Sequence, residues 1–317
     1  MAWEVCMIQN AFAINYYVND VGSLADDIFC TSVGNDLNDG LGPASPKRSI
    51  QELINVYRFS FLPGDSIFID HGVYQESILL KNFLIDGSPI VINGAGKNNT
   101  LIEPIPNDTF TFKIMLSSNI KVENIGFTNS SSGITSNVFS IQQSNNLTVN
   151  NCGIEKTSKG ALALLIFDES EKINILNSRI VHSGDSSNAI FIGAYNNTGK
   201  CENILIENCF INAQNALMET LLVSKAIRLK NADSVEIVKN TIHSAEAGIW
   251  LGDDTYNTYL ENNFVFSDDH FSFFAKGSSS TYGTMFHNSF YSHAPCIGWE
   301  NSGGTSTEGW VVYNEVV

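Results

Sequence analysis

Basic residues are scarce in this chain: 17 Lys and Arg stand against 33 Asp and Glu, a formal net charge of −16. So acidic a protein lacks the positive footprint that phosphate backbones require, which excludes nucleic acid as a partner. Long apolar runs are also missing. No stretch approaches the ~18 residues of a membrane-spanning helix, so no membrane span is expected. Proline is limited to 7 residues, and no Pro- or Ser-rich linker interrupts the chain. Its 317 residues exceed the usual size of a single core, yet they read as one domain. The six cysteines (Cys6, Cys30, Cys152, Cys201, Cys209, Cys296) show no metal-ligand spacing and read as small packing residues.

What the sequence does have is a repeat. The stretch ILIENCFI, residues 204–211, alternates like a strand but places Asn208 where a third apolar residue belongs. The template is apolar, any, apolar, any, Asn, any, any, apolar. It recurs at Ile120/Val122/Asn124/Phe127, Leu147/Val149/Asn151/Ile154 and Ile173/Ile175/Asn177/Ile180. Val235/Ile237/Ile242 keeps the apolar frame with Lys239 in the Asn slot and Asn240 one residue late. Leu260/Asn262/Val265, Phe286/Asn288/Tyr291 and Trp310/Val312/Asn314/Val317 follow. Steps such as Asn124 to Asn151 (27 residues) and Asn151 to Asn177 (26 residues) have the period of a solenoid.

Leucine-rich repeats also carry an Asn, but they need a Leu-dominated frame and a helical segment in each unit. Here a second apolar pair follows in most units: Phe139/Ile141, Leu164/Ile166, Ile190/Ile192, Ile227/Leu229, Ile249/Leu251, Ile297/Trp299. Two strands joined by turns of Asn, Ser, Gly and Asp, stacked about 4.8 Å apart, make a parallel β-helix. Each Asn then lies over the Asn of the next coil, and Asn208 is expected as one rung of an internal amide ladder. Cys152 and Cys209, two coils apart, would be roughly 9–10 Å from one another, too far for a disulfide.

The ends differ from the repeat. Ala11-Phe12-Ala13 has the form of a secretory cleavage site, so residues 1–13 are expected as a signal remnant; an ordinary N-terminal strand is the alternative. Residues 14–65 are expected as a strand and helical cap. Ser49 and Glu52 make a capping box after Pro46, and Ile50, Leu53, Ile54 and Tyr57 trace one helical face. Pro63-Gly64-Asp65 turns the chain into coils spanning 66–317. The chain stops on a first strand, which predicts an uncapped end and end-to-end self-association. With Ile90-Val91-Ile92-Asn93-Gly94-Ala95-Gly96 behind it, the cap resembles the start of right-handed parallel β-helix proteins of the pectate-lyase-like superfamily, over roughly residues 15–317. That resemblance implies an all-β right-handed parallel β-helix and a secreted or cell-surface protein that handles extracellular polysaccharide.

Outward positions of the later strand form columns. One column runs Ser140, Leu165, Phe191, Arg228, Trp250. The next runs Gln142, Phe167, Gly193, Lys230, Gly252, Glu300, and a third includes Asp168, Asn231 and Asp253. Lys276 falls nearby, with its register left open by Phe271-Ser272-Phe273-Phe274. Extra length around 193–203 and 212–225 marks this region as a binding face.

Three chemistries fit such a patch. A uronan lyase needs a base for the proton α to a carboxylate and a cation to stabilise the enolate. Arg228, Lys230 and Lys276 are the candidate catalytic residues, Phe191, Trp250 and Glu300 the candidate substrate contacts, and Asp253 and Asp254 the candidate Ca²⁺ ligands. A hydrolase needs paired carboxylates. Gly252-Asp253-Asp254 resembles one polygalacturonase motif, and Asn231-Ala232-Asp233 loosely the preceding one, but the later His-Gly and Arg-any-Lys elements are absent. Asp268-Asp269-His270 resembles the acid-and-His cluster of alginate epimerases without their Asp-Pro-His form. The rival class is a non-catalytic adhesin or carbohydrate-binding solenoid. The outward columns are too mixed for an ice-binding lattice.

Overall fold

In a computed structural model, which describes residues 12–106, 108–130, 136–158, 161–184, 188–194, 199–213, 224–252, 254–268, 270–277, 282–293, 295–301 and 310–316, the Asn of the repeat marks a corner. Asn124, Asn151, Asn177, Asn208 and Asn262 have φ of 60°, 50°, 52°, 54° and 53°. This is the left-handed region, which Asn tolerates because its short amide bonds locally. Lys239 and His287 turn the same corner. The chain then enters a separate short strand, so Ile154 and Ile180 are centred in Gly153–Lys156 and Arg179–His182. A coil therefore has three strands, where the sequence pattern suggested two.

One coil shows the plan: Asn145–Asn150, Gly153–Lys156 and Leu164–Phe167. Leu147 pairs in parallel with Ile120 before it and Ile173 after it. Ile154 lies between Phe127 and Ile180, and Leu164 between Phe139 and Ile190. First and second strands share one 20-stranded sheet, and third strands form a 9-stranded sheet from Ile78–Lys81 to Ile297–Asn301. The result is an all-β parallel solenoid of about seven turns. Its core is the inward column of each strand, where every fully buried Ile, Val or Leu is worth about 1.5–3 kcal/mol.

Two ladders climb the first corner, and the expectation for Asn208 holds for only part of this arrangement. The corner amides do bond along the stack: Asn151 Nδ2 donates to Asn124 Oδ1 at 2.7 Å, and Asn208 Nδ2 to Asn177 Oδ1 at 2.7 Å. Asn177 reaches Asn150 instead, at 2.8 Å. Yet Asn177 and Asn208 are exposed, because a left-handed corner turns its side chain out of the coil. The internal ladder is one residue later: Cys152, Ser178, Cys209, Asn240, Asn263 and Asn288, all buried. Each side chain receives the backbone N–H of the rung before it, as in Cys209 N to Asn240 Oδ1 (2.8 Å) and Asn240 N to Asn263 Oδ1 (3.0 Å). Asn240, one residue late in the sequence template, is thus correctly placed for the inner ladder. Asn288 also belongs there, because Leu260 pairs with Met285 rather than Phe286. Cys30, Cys152, Cys201, Cys209 and Cys296 are free thiols.

The cap is a strand, Asn15–Val18, paired with Ser66–Ile69, and a helix, Ile50–Tyr57, that buries Ile50, Leu53 and Ile54. Ser49 caps it by accepting from Glu52 N at 3.3 Å. The second half of the cap comes from the first coil, where Glu76 accepts from Ile50 N, Gln51 N and the Ser49 hydroxyl. A carboxylate at a helix N-terminus meets both orphan N–H groups and the positive end of the dipole. Residues 1–11 and Val317 lie outside the described residues. Among the described residues no helix is long and apolar enough to cross a membrane.

One buried column is polar. Asn129, Lys156 and His182 occupy one register on successive coils. Lys156 is 0% exposed and donates to Asn129 Oδ1 (3.3 Å) and Ser136 Oγ (3.1 Å). Burial pushes its ammonium down to about 8.

Candidate functional site

Third strands alternate inward and outward, so one outward residue per coil lines up along the sheet. The pairing places Ser140, Leu165, Phe191, Arg228, Trp250 and Phe274 in a single row. Lys276 pairs with Glu300, putting both in the neighbouring row with Lys230. The open register at 271–274 resolves with Phe273 inward and fully buried and Phe274 outward against Trp250, ring centroids 4.5 Å apart.

Phe191 is a correction to the expected open face. It is 1% exposed, because Leu162 in the preceding turn and Leu165 pack on it to form an apolar cluster outside the main core, flanked by Phe167. The Arg228 guanidinium lies 5.6 Å from the Phe191 ring centre. Phe191 therefore supports the row from beneath and does not offer a free sugar contact. The accessible part begins at Arg228 and Trp250, both partly exposed.

Beside Trp250 stand two groups that the sequence columns missed. Lys225 opens the strand Lys225–Lys230, and its ammonium lies 4.3 Å from the Trp250 ring centre, a cation–π contact. It is only 6% exposed, and burial lowers its pKa; nearby Arg228 adds to that fall, while nearby Glu246 opposes it. Glu246 sits in the corner before Ala247–Leu251. Burial raises its pKa, against the pull of Lys225 and His270. Among the described residues no carboxylate forms an ion pair with Lys225, and Glu246 Oε2 and Arg228 Nε are buried without hydrogen-bond partners. Unsatisfied buried polar atoms are costly and need an explanation. Two such atoms, with the Lys225 ammonium against the indole, make this the part of the row with polar groups left to meet a ligand.

The sequence held a signal for Lys225. In KAIRLK it shares parity with inward Ile227 and Leu229, and a Lys at an inward position is a buried-charge exception. Glu246 lies in a turn, where strand parity says nothing.

The remaining candidates fall elsewhere. Lys276 and Glu300 form an ion pair at 3.0 Å, each about half exposed, so both are occupied by one another. Lys230 lies one row over from Trp250, beside Gly252, against which its side chain packs. Asp254 turns left-handed at φ 56° and accepts from the Tyr256 hydroxyl at 3.1 Å. Asp253 lies outside the described residues. Among those described, no three His, Cys, Asp or Glu side chains group as a metal site.

A family model described as "Right handed beta helix region" matches residues 137–311. No curated protein matches the chain in sequence. Among solved structures, Geobacillus virus E2 ORF18 is similar at a TM-score of 0.55 and 12% identity, over 80% of this chain and 54% of its own. This chain thus spans about half the length of that protein. Pectate lyase Pel9A is similar at a TM-score of 0.60 and 10% identity, over 95% of this chain and 80% of its own. A glycoside hydrolase is similar at 0.56 and 9% identity, over 96% of both chains. At these identities the likeness is one of fold.

Proposed function

The chain belongs to the right-handed β-helix family, and from that membership and the Lys225–Glu246 pair we propose that it acts on extracellular polysaccharide as a lyase of uronic-acid-containing chains. The single observation that carries this reading is the pair itself, a buried amine of lowered pKa against the Trp250 indole and, close enough to act on it, a half-buried carboxyl of raised pKa. Groups pushed toward neutrality from opposite sides suit proton transfer at ordinary pH. Lys225, as the free amine, would take the proton α to the sugar carboxylate. Arg228, whose Nε lacks a partner, would hold that carboxylate and the charge that develops on it. Glu246, protonated, would give its proton to the departing glycosidic oxygen as the C–O bond breaks and a C=C bond forms. The catalytic assignment thus keeps Arg228 and moves the base from Lys230 and Lys276 to Lys225.

Pectate lyase and glycoside hydrolase among the similar folds support polysaccharide as the substrate class. Incubation with a panel of uronans, with and without Ca²⁺, tests the reading through the absorbance of unsaturated products. New reducing ends without that absorbance would point to hydrolysis. Binding without either would point to a carbohydrate-binding solenoid, for which the partly exposed Arg228 and Trp250 of the row suffice.

A further inference from the structure

The face built by the second strands carries its own aromatic row. His243 pairs with Phe266, and Phe266 with Tyr291, so three rings share one outward register on successive coils. His243 and Phe266 have centroids 4.6 Å apart, and Phe266 stacks on Tyr291 at 5.2 Å, within 11° of parallel. His293 stands edge-on to both rings at 6.1 and 5.8 Å. Phe264, on the same side of its strand, is 51% exposed, and Tyr291 is 39% exposed. The core does not require these rings, since Ile242, Val265 and Phe290 fill it from the same strands. Earlier coils place Glu155, Val181 and Asn212 in this register, so the aromatic row is local.

Polar groups line the row. Asp268 Oδ1 lies 3.3 Å from His243 Nε2, and its carbonyl oxygen 2.9 Å from His293 Nδ1. Asn212, in register with His243, leaves its Oδ1 buried without a hydrogen-bond partner. Flat apolar rings beside directional polar groups are what a pyranose needs, since it has apolar ring faces and hydroxyls on its rim. The row is one ring wide and flanked by Thr241 and Ser289, too narrow for the roughly 1,000 Å² of a stable protein interface. A net charge of −16 disfavours nucleic acid.

We infer that His243, Phe266 and Tyr291, with Phe264, form a second, non-catalytic glycan-binding surface, separated from the Trp250 row by the corner at Ser244–Ala247. It takes a further stretch of the same polysaccharide, laid along the solenoid axis, where rings recur at the strand spacing of about 4.8 Å. The inference rests on polysaccharide being the substrate, as proposed above. Two joined sites on one chain raise the affinity for long polymers over short oligosaccharides.

The test compares the variant Phe266→Ala/Tyr291→Ala with Trp250→Ala, using affinity electrophoresis on whichever uronan the wild type binds and turnover of a short oligosaccharide. Phe266→Ala/Tyr291→Ala should lose about tenfold in polymer affinity and keep oligosaccharide turnover; Trp250→Ala should lose turnover. Phe264→Ala, which removes a half-exposed ring from no core position, provides the same readout should the double variant fold poorly. Unchanged polymer affinity in folded Phe266→Ala/Tyr291→Ala and Phe264→Ala, with Trp250→Ala impaired, overturns this surface alone. A wild type that binds no polysaccharide in the panel overturns the proposed function as well.

Discussion

Lys225 and Trp250 hold each other across adjacent inner strands of the third-strand sheet, the ammonium 4.3 Å from the ring centre on a side chain almost wholly shielded from water. An ammonium kept there without a paired carboxylate is attracted by the ring and penalised by its lost hydration. The lost hydration lowers the pKa of Lys225, and under the proposed function a sugar laid along the row would meet that amine beside the indole.

If Lys225 is the base, Lys225→Met should lower turnover by at least about 100-fold with little change in binding. The pH profile should be a bell. Its rising limb follows Lys225 losing a proton below the ordinary amine value of 10.5, because its pKa is lowered. Its falling limb follows Glu246 ionising above the ordinary value of 4.5, because its pKa is raised. Glu246→Gln should remove the falling limb; a profile of unchanged shape would rule Glu246 out as the acid.

Phe191 and Trp250 share a row and should respond oppositely. Phe191→Ala empties a packed position beneath Leu162 and Leu165 and should cost about 3 kcal/mol of stability. Trp250→Ala gives up the ring contact with Phe274 and the cation–π contact, about 1–2 kcal/mol together, but should abolish binding of a short oligosaccharide at this row. Denaturation midpoints and binding isotherms of the two variants separate a supporting ring from a contacting one.

The ladders predict a ranking within one corner. Asn263 accepts from Asn240 N and Nδ2 and donates to Ile237 O and Asn288 Oδ1, all inside the coil. Asn263→Leu strands several buried groups and should cost about 3 kcal/mol or more. Asn151→Leu loses one amide contact and forces a branched side chain to φ 50°, about 1–2 kcal/mol. Asn151→Gly relieves that φ and should be nearly neutral. Equal losses at Asn151 and Asn263 would mean that the outer rung matters as much as the inner one.

Much of this was legible because the repeat fixes register. Once Ile190 lies over Leu164 and Ile227 over Ile190, strand parity places Phe191, Arg228 and Trp250 in one row without further information. Parity cannot report what covers a row, so Phe191 read as open when Leu162, from a turn, closes it. It also fails at strand ends, where Lys225 leaves the inward column to meet Trp250, and in corners, where Glu246 sits. The Asn slot misled by one residue for a related reason. The template marks the left-handed corner, which any Asn can occupy, while the inner rung beside it accepts Cys, Ser or Asn and so carries no fixed letter.

Lys156 provides a last test, one of stability alone. Its amine is buried in the solenoid between the Asn129 and Ser136 oxygens, and its pKa falls to about 8 from the ordinary 10.5. The unfolded chain therefore holds this proton up to pH 10.5, whereas the folded chain releases it near pH 8. Between these values the unfolded state binds more protons, so stability rises with pH across that window. Below pH 8 the folded protein carries the full penalty of a buried ammonium, about 3 kcal/mol. Lys156→Met keeps the length of the side chain and removes the charge. The difference in unfolding free energy, wild type minus Lys156→Met, should climb by about that amount from pH 7.5 to pH 10.5. Urea titrations of both proteins at a series of pH values measure it, and a difference that stays flat would show that Lys156 titrates in the folded protein as it does in the unfolded chain.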